Sequence, residues 1–345
     1  MINRFSILGS GSWGTALANL LANNGEECLV YTKNNEVFDS ISNDKVNKTY
    51  HPDFKLNKNI KITKNLSELS IFSDLWIIAI PSREISSALK LVNAEILKKK
   101  EFIIASKGID KNSFYTISDV LIKEFNIDSS KIFTISGPNL AKEVMEQQVS
   151  ASVLAGDDLS RAEKISKSFN NNFFKVFLSN DKKGVELSGS LKNIYAISAG
   201  IADGLGSKFN TKAMILTRSL HEMSELLKSL GASPETLMGL AGVGDLIATS
   251  SSSNSRNYSF GRYLGQGMDV EASLKKVNQV VEGIGTLEII FKKKEELNLT
   301  MPIVDILNKI IFEKENPKDC FAAVSYTHLR AHETRHDLVC RLLLE

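Results

Sequence analysis

The chain has 345 residues, enough for about two domains that each bury a hydrophobic core. Apolar residues make up 43% of it and charged residues 24%, which is ordinary for a globular protein. A formal net charge of +2 argues against a broad nucleic-acid-binding surface, but it allows a local basic pocket for a phosphorylated small molecule. The three cysteines lack metal-ligand spacing, and the sequence shows neither a membrane-spanning run nor a secretory signal. We therefore expect a cytoplasmic protein.

The first half of the sequence alternates short apolar runs with segments of helical periodicity. The runs that predict strands are Arg4–Leu8, Glu27–Tyr31, 75–80, 102–105 and Ile132–Ser136, followed by 151–155 and 174–178. Helices are predicted between them, for example over 15–24 and 84–98. Apolar strands that alternate with helices are typical of a doubly wound parallel sheet.

The second half of the sequence has a different pattern. From about residue 185 onward, long helical periodicity dominates, and it is clearest over 187–202, 211–230 and 270–295. The sequence therefore predicts an α/β N-terminal domain with a Rossmann-type doubly wound sheet over residues 1–182. An all-α C-terminal substrate domain is predicted over residues 183–323.

Residues 324–345 do not continue this pattern. They are abruptly polar and resemble the translation of a sequencing-library adapter, so we expect a non-native tail there. His328, His332 and His336 lie in this tail at a spacing of four residues, which on a helix would place them on one face. We expect no metal site from them.

Gly9, Gly11 and Gly14 form a Gly-x-Gly-x-x-Gly pattern between the first predicted strand and the first predicted helix. In this context Gly9 permits a tight turn, Gly11 lets the backbone approach a pyrophosphate, and Gly14 allows close packing of helix on strand. The helix N-terminus adds unpaired N–H groups and the positive end of its dipole. The pattern predicts a dinucleotide-binding site. The alternative is a glycine-rich turn that only connects two elements.

The residues after the second predicted strand bear on which dinucleotide is bound. NAD-selective sites usually have an acid there that binds the ribose 2′-hydroxyl. Here Lys33 follows the strand, and the first acid is Glu36. A cation suits a 2′-phosphate, so we expect NADPH as the preferred cofactor and NADH as the alternative. Lys33 could also be an ordinary solvated lysine.

Two further strand ends carry residues that suit a substrate or nicotinamide. Lys107 lies in the Ser-Lys-Gly segment that follows the strand at 102–105, and Gly137 and Asn139 lie in the segment that follows Ile132–Ser136. Ligands of open α/β sheets bind at the carboxyl ends of the strands, so we expect these residues near the bound cofactor. For Lys107 taken alone, a surface lysine is the alternative.

Lys192 lies in a helix that otherwise consists of apolar and small residues. Lysine is almost never fully buried unless it is paired. A partly desolvated lysine shifts its pKa and can donate or accept a proton. The alternative is a lysine at a helix edge whose ammonium group reaches water.

Other polar residues of the helical half have weaker signals. Asp245 follows three glycines and precedes a helix, where a carboxylate also serves as a cap. Ser255, Arg256 and Asn257 form a triplet in which the guanidinium can hold a phosphate bidentately. We interpret His221, alone on its helix, as structural.

In their order, these motifs resemble the bacterial type of the NAD(P)+-dependent glycerol-3-phosphate dehydrogenase family over residues 4–323. The motifs that carry the resemblance are GSGSWGTA, AIPS, SKGI, SGPN with AKEV, ELSGSLKNIYAISAGI, GLAGVGDLIAT, SRN and VVEG. The resemblance implies a Rossmann domain and a helical substrate domain. It also implies reversible reduction of dihydroxyacetone phosphate to sn-glycerol 3-phosphate, a phospholipid precursor. Ser250 departs from the family pattern, since relatives often carry Cys there.

The resemblance also implies roles for individual residues, with Lys192 as the catalytic proton donor and acceptor. The residues that match substrate contacts are Lys107, Gly137, Asn139, Lys192, Asp245, Ser255, Arg256 and Asn257. The residues that match cofactor contacts, besides Gly9, Gly11 and Gly14, are Ser12, Trp13, Lys33, Tyr50, Lys107, Ala141, Arg256, Val280 and Glu282. No metal is implied.

The implied chemistry agrees with these residue types. Hydride transfer to the C2 carbonyl leaves a developing alkoxide, which an ammonium group on Lys192 would stabilise and protonate. Lys107 would lower the pKa of Lys192 by adding a nearby positive charge. Asp245 would orient Lys192 or a substrate hydroxyl, and Arg256 would hold the phosphate.

Two other interpretations remain open at this point. One is a related 3-hydroxyacid or ketopantoate-type reductase, since Arg256 would also bind a carboxylate substrate. The other is a non-catalytic dinucleotide sensor, which would tolerate the loss of Lys107 and Lys192, although both are present. We expect no nucleic-acid partner and no membrane span, and a homodimer is compatible with the sequence.

Overall fold

The computed structural model describes residues 3–110, 114–253 and 255–321. The tail predicted at 324–345, with His328, His332 and His336, lies outside these residues. The chain divides into two compact units. The first comprises the described residues up to Asn193 together with Met223–Thr249, and the second comprises Ile194–Glu222 together with the described residues from Ser250 onward.

All strands of the described residues lie in the first unit. Within the described residues they are β1 (Arg4–Leu8), β2 (Glu27–Tyr31), β3 (Val46–Asn47), β4 (His51–Lys55), β5 (Ile60–Thr63), β6 (Leu75–Ile78), β7 (Glu101–Ile104), β8 (Ile132–Ser136), β9 (Ser150–Gly156) and β10 (Phe174–Ser179). Eight of these described strands form one sheet in the order β10-β9-β8-β7-β6-β1-β2-β5, while β3 and β4 pair separately. Neighbours in the large sheet run parallel except β8 and β9.

Helices connect most of the strands and make up the second unit. In the described part of the chain they are α1 (Ser12–Asn23), α2 (Asn35–Asp44), α3 (Leu66–Phe72), α4 (Ser82–Leu89), α5 (Ala94–Leu97), α6 (Ile117–Phe125), α7 (Ala141–Met145), α8 (Leu159–Phe169), α9 (Lys182–Gly204), α10 (Phe209–Ser229), α11 (Pro234–Leu237), α12 (Asp245–Ser251), α13 (Arg256–Gly265), α14 (Val270–Val277), α15 (Glu282–Glu296) and α16 (Pro302–Phe312). A π-helical turn, Leu240–Gly244, precedes α12.

Two apolar cores cover the two faces of the large sheet. Because successive strand side chains point to opposite faces, Phe5 and Ile7 of β1 join one core and Leu8 joins the other. The first core includes Leu17 of α1, and the second includes Leu121 of α6. Helices therefore cover both faces, which confirms the predicted doubly wound sheet.

Three details of the predicted fold are wrong. The helix predicted over 84–98 is two helices, α4 and α5, because Asn93 accepts a hydrogen bond from Glu95 N and starts a second helix. The helix predicted over 270–295 is also two, because Asn278 adopts a left-handed conformation with φ 51° and ends α14. The sheet is also not wholly parallel, since β9 returns antiparallel to β8.

The second unit is helical, as predicted, and glycines bring two of its helices close together. Gly200 of α9 and Gly261 of α13 each lie so near the other helix that a Cβ would overlap a backbone carbonyl there. On α10 of the same unit, the buried carboxylate of Glu222 accepts a hydrogen bond from Ile303 N, 2.7 Å away, in the first turn of α16. Among the described helices, none has the length and apolar character that crossing a bilayer would require.

Candidate active site

The glycine turn between β1 and α1 has the space that a pyrophosphate requires. Gly9 has φ +125°, and a Cβ there would lie 2.5 Å from the carbonyl oxygen of Ala79, so only glycine fits. A Cβ on Gly14 would overlap the Gly9 carbonyl, whereas a Cβ on Gly11 would meet no atom within 4 Å. Gly11 is also the N-cap of α1, and no side chain caps this helix. Its first N–H groups therefore have no side-chain cap, and such uncapped groups at a helix start are suited to an anion.

Buried side chains from outside the motif hold this turn. The Ser10 hydroxyl donates to Thr32 Oγ1 at the end of β2, over 2.7 Å. Asn47, from β3, donates through its amide to the Ser10 carbonyl at 3.0 Å and to Thr15 Oγ1 at 2.9 Å. The turn is therefore fixed independently of any ligand.

His51 supports the same turn from β4. Its Nε2 lies 2.9 Å from the Ser12 carbonyl oxygen and 3.2 Å from the Ser12 hydroxyl. Burial lowers the pKa of His51, and the Ser12 carbonyl partly opposes that shift. The preceding residue, Tyr50, which was predicted to contact the cofactor, is 40% exposed. Sequence reasoning missed both Asn47 and His51, because the segment that carries them is polar and has no clear periodicity.

The other predicted cofactor residues of the first unit differ in how far they are buried. Lys33 is exposed directly after β2, as a residue that binds a 2′-phosphate would be. Trp13 and Ala141 are partly buried and pack against the first core.

At the carboxyl end of β7, Lys107 reaches a buried carboxylate. Its Nζ lies 2.5 Å from Oδ2 of Asp245, and the other carboxylate oxygen of Asp245 accepts a hydrogen bond from Lys192 Nζ. Lys192 also donates to Thr249 Oγ1 over 2.7 Å. Lys107 comes from a strand end, Lys192 from α9, and Asp245 and Thr249 from α12. The structure thus joins three predicted site residues in the first unit.

Thr249 was not predicted as a member of this cluster. It stands four residues after Asp245, a spacing that places both side chains on one face of a helix. That spacing could have identified Thr249 from the sequence, provided that Asp245 was recognised as the first residue of a helix. The Asp245 carboxylate binds the two lysines, so its role extends beyond that of a cap.

Electrostatics set the protonation of the cluster. Lys192 is 6% exposed, and burial is the main reason that its pKa falls to about 7. Asp245 opposes this shift, and Lys107 adds to it. Burial favours the neutral acid of Asp245, but the two lysines outweigh burial and lower its pKa. A carboxylate that stays ionised therefore holds a lysine that can exchange its proton near neutral pH.

The loop after β8 is anchored to β9. Asn139 donates to the Ala151 carbonyl at 3.0 Å, and its amide oxygen accepts from the Ser152 hydroxyl at 2.5 Å. A Cβ on Gly137 would lie 2.7 Å from the same carbonyl oxygen. The Asn139 side chain thus holds Gly137 close to β9.

The remaining predicted residues belong to the second unit. Ser255 caps α13, accepting from Tyr258 N at 3.3 Å, and Arg256 is exposed in the first turn of that helix. The side-chain oxygen of Asn257 accepts from Gly283 N at 2.9 Å. The predicted cofactor residues next to Gly283 are Val280, which is exposed, and Glu282, the first residue of α15.

The first unit defines a class of protein. A doubly wound sheet with an uncapped glycine turn at its carboxyl edge suits a dinucleotide. A buried lysine with a pKa of about 7, bridged to a second lysine by a carboxylate, is suited to transferring a proton to the oxygen of a carbonyl group as that group is reduced. The chain is therefore an oxidoreductase of the dinucleotide-dependent dehydrogenase class.

Comparison with known proteins gives the family. The N-terminal family model of NAD-dependent glycerol-3-phosphate dehydrogenase matches residues 4–162, and the C-terminal model matches residues 181–322. A glycerol-3-phosphate dehydrogenase (NAD(P)+) from Halothermothrix orenii is 40% identical over 321 residues, covering 92% of this chain and 93% of the relative. This chain belongs to the NAD-dependent glycerol-3-phosphate dehydrogenase family.

Solved structures agree with this assignment. A crystal structure of glycerol-3-phosphate dehydrogenase from Coxiella burnetii has a TM-score of 0.88 and 31% sequence identity, covering 94% of this chain and 99% of that one. A ketopantoate reductase from Ralstonia eutropha has a TM-score of 0.58 and 13% identity, covering 92% of this chain and 99% of that one. The second likeness shows the fold alone. The predicted fold class and family are confirmed.

Proposed function

We propose that this protein reduces dihydroxyacetone phosphate to sn-glycerol 3-phosphate with NADPH, and catalyses the reverse oxidation. The observation that carries the proposal is the cluster at the carboxyl edge of the sheet, in which the buried Asp245 binds both the buried Lys192 and the partly exposed Lys107. The preference for NADPH over NADH rests on Lys33, a cation where NAD-selective sites have an acid. The proposed location is the cytoplasm. A homodimer is a further expectation, which sedimentation of the purified protein would test.

The nucleotide-binding part of the proposal assigns the pyrophosphate to the N-terminus of α1. Gly11 leaves the approach open, and the first-turn N–H groups of α1 would donate to the phosphate oxygens. Lys33 would bind the 2′-phosphate. A bound nicotinamide dinucleotide would supply the hydride.

The proton in the reduction would come from Lys192. As an ammonium group it would stabilise the negative charge that develops on the C2 oxygen, and then protonate that oxygen. Asp245 and Thr249 hold the Lys192 amine in place, so little reorientation would be needed during the reaction. Lys107 would add a second positive charge at the same edge and would help to bind the substrate.

The substrate's phosphate is assigned to the second unit. Arg256 is exposed at the start of α13 and can bind a phosphate bidentately, with Ser255 and Asn257 beside it. Binding at this remote group would help to fix the reacting carbon. We accordingly propose residues 1–182 as the nucleotide-binding part and 183–323 as the substrate part.

The test is an assay of purified protein with dihydroxyacetone phosphate and either NADPH or NADH. In Lys192→Ala, kcat should fall roughly 10²- to 10⁴-fold, the range for loss of a general acid, while the cofactor still binds. Lys100→Ala is the matched control. Lys100 is also a buried lysine of the first unit, but it pairs with Asp74 at 2.6 Å. Near-normal turnover of Lys192→Ala would contradict the assigned role.

A ketopantoate-type substrate is the competing candidate, because a guanidinium on Arg256 would also bind a carboxylate. The same assay distinguishes the two. Under our proposal sn-glycerol 3-phosphate inhibits the reduction and ketopantoate is not turned over. The opposite pattern would favour the carboxylate substrate.

A further inference from the structure

The backbone on either side of Lys107 is tied to other elements by hydroxyl groups. The Ser106 hydroxyl lies 2.6 Å from the Ile80 carbonyl oxygen and 3.0 Å from that of Ile78, after and within β6. On the other side, Gly108 N donates to Ser190 Oγ over 2.9 Å. Lys107 therefore has one anchor to the sheet and one to α9.

Ser190 is placed to serve as this second anchor. It is buried on α9, two residues before Lys192. Its hydroxyl proton goes to the Glu186 carbonyl oxygen, 2.9 Å away, one helical turn earlier. The oxygen is therefore oriented to accept from Gly108 N.

Gly108 needs such an anchor because of its conformation. Its φ is +142°, a region that other residues rarely adopt, and a Cβ there would lie 2.8 Å from the Ser82 Cβ. A hydrogen bond to a buried hydroxyl holds this conformation and satisfies an N–H that would otherwise be buried without a partner.

These bonds close a ring. It runs from Lys107 through Gly108 and Ser190 along α9 to Lys192, and returns through Asp245 to the Lys107 ammonium group. We propose that Ser190 is a positioning residue that fixes the separation of the two lysines by tying the backbone beside Lys107 to the Lys192 helix. The inference rests on the proposed function, since its effect is exerted on proton transfer by Lys192.

The pH profile of catalysis would report this role. The charged groups that act on Lys192 are Asp245, which raises its pKa, and Lys107, which lowers it. If the Lys107 ammonium group moves away from the cluster, its positive charge no longer repels that of Lys192. The Asp245 carboxylate then interacts with Lys192 alone, and both changes raise the pKa of Lys192. Reduction needs the ammonium form, so its decline at alkaline pH should begin at higher pH.

The experiment measures kcat for dihydroxyacetone phosphate reduction against pH in Ser190→Ala. We expect kcat to fall roughly two- to tenfold, as for the loss of one neutral hydrogen bond, and the alkaline decline to move upward by about half a pH unit. Ser188→Ala is the matched control. Ser188 is also buried on α9, but within the described residues its hydroxyl has no hydrogen-bond partner.

Ser190→Thr separates positioning from packing. It keeps the hydroxyl and adds a methyl group, so a positioning role predicts that the alkaline decline returns toward the wild-type pH, whereas a packing role predicts a larger defect than in Ser190→Ala.

A Ser190→Ala profile that overlays that of Ser188→Ala would overturn the inference. If the wild type itself does not reduce dihydroxyacetone phosphate, the proposed function fails instead. If Ser190→Ala does not fold, the Ser190→Thr profile decides: a wild-type alkaline decline supports the inference, and a shifted one overturns it.

Discussion

Asp245 of the first unit and Glu222 of the second are both carboxylic acids that are 2% exposed, yet their pKa values move in opposite directions. The pKa of Asp245 is lowered, while that of Glu222 is raised to about 8. Burial favours the neutral acid at both positions. The two sites differ in their partners.

Asp245 contacts two ammonium groups, whereas in the described part of the chain the hydrogen-bond donors to Glu222 are neutral. These are backbone N–H groups at the start of α16 and the hydroxyl of Tyr195, 3.2 Å away. Two nearby cations outweigh the desolvation of a carboxylate, whereas a few dipoles do not. The comparison separates a buried acid that sets the charge of the lysine proposed as catalytic from one that links helices within its own unit.

The strongest test of this contrast is Asp245→Asn, which keeps the shape and removes the charge. We expect kcat to fall roughly 10²- to 10³-fold, as for the loss of a preorganised electrostatic group. Without the carboxylate the pKa of Lys192 falls further, so the alkaline decline in kcat should move to lower pH. A profile that stays at the wild-type pH would show that Asp245 does not control Lys192.

Lys107→Met should move the same profile the other way. Removing this charge raises the pKa of Lys192, because Lys107 lowers it in the wild type. The alkaline decline should therefore shift to higher pH, while kcat/KM falls about tenfold, equivalent to about 1.4 kcal/mol. Shifts of the same sign in Lys107→Met and Asp245→Asn would contradict the assigned charges.

Glu222→Gln should have the smallest effect on catalysis, with kcat within about twofold of the wild type. Its effect falls on stability. The folded protein keeps the Glu222 proton up to about pH 8, whereas the ordinary value is 4.5, so this stabilising contribution is complete below pH 4.5 and is lost as the pH rises through about 8. Between these limits the loss is on the order of 1 kcal/mol per pH unit.

Glutamine cannot lose this proton. Urea unfolding at pH 5, 6.5 and 8 should therefore show a flatter pH dependence of the free energy of unfolding for Glu222→Gln than for the wild type. Parallel curves would mean that Glu222 is not held protonated in the folded state.

Much of the first unit could be predicted because its strands are short, apolar and buried on both faces. Arg4–Leu8, Glu27–Tyr31 and Ile132–Ser136 are predicted to the residue. The strands β3 and β4 were missed because Val46–Asn47 is short and His51–Lys55 is polar. Their pattern did not differ from that of a loop.

The candidate site was predictable to the extent that single residues stood out. Lys192 is conspicuous in an apolar helix, and Lys107 follows a buried strand. Contacts such as Gly108 N to Ser190 Oγ join residues 82 positions apart. No local pattern encodes that pairing, because it depends on how α9 packs against the strand ends.

The open space at Gly11 has a practical consequence. Gly9 and Gly14 are required by the folded chain itself, but in the described structure a Cβ on Gly11 would touch nothing. A library of variants selected only for heat resistance would therefore retain Gly11→Ala, while a selection on nucleotide affinity would discard it. Gly11→Ala would yield a folded protein that does not bind the nucleotide. Such a variant would serve as the reference sample in titrations from which the signal of nucleotide binding must be subtracted.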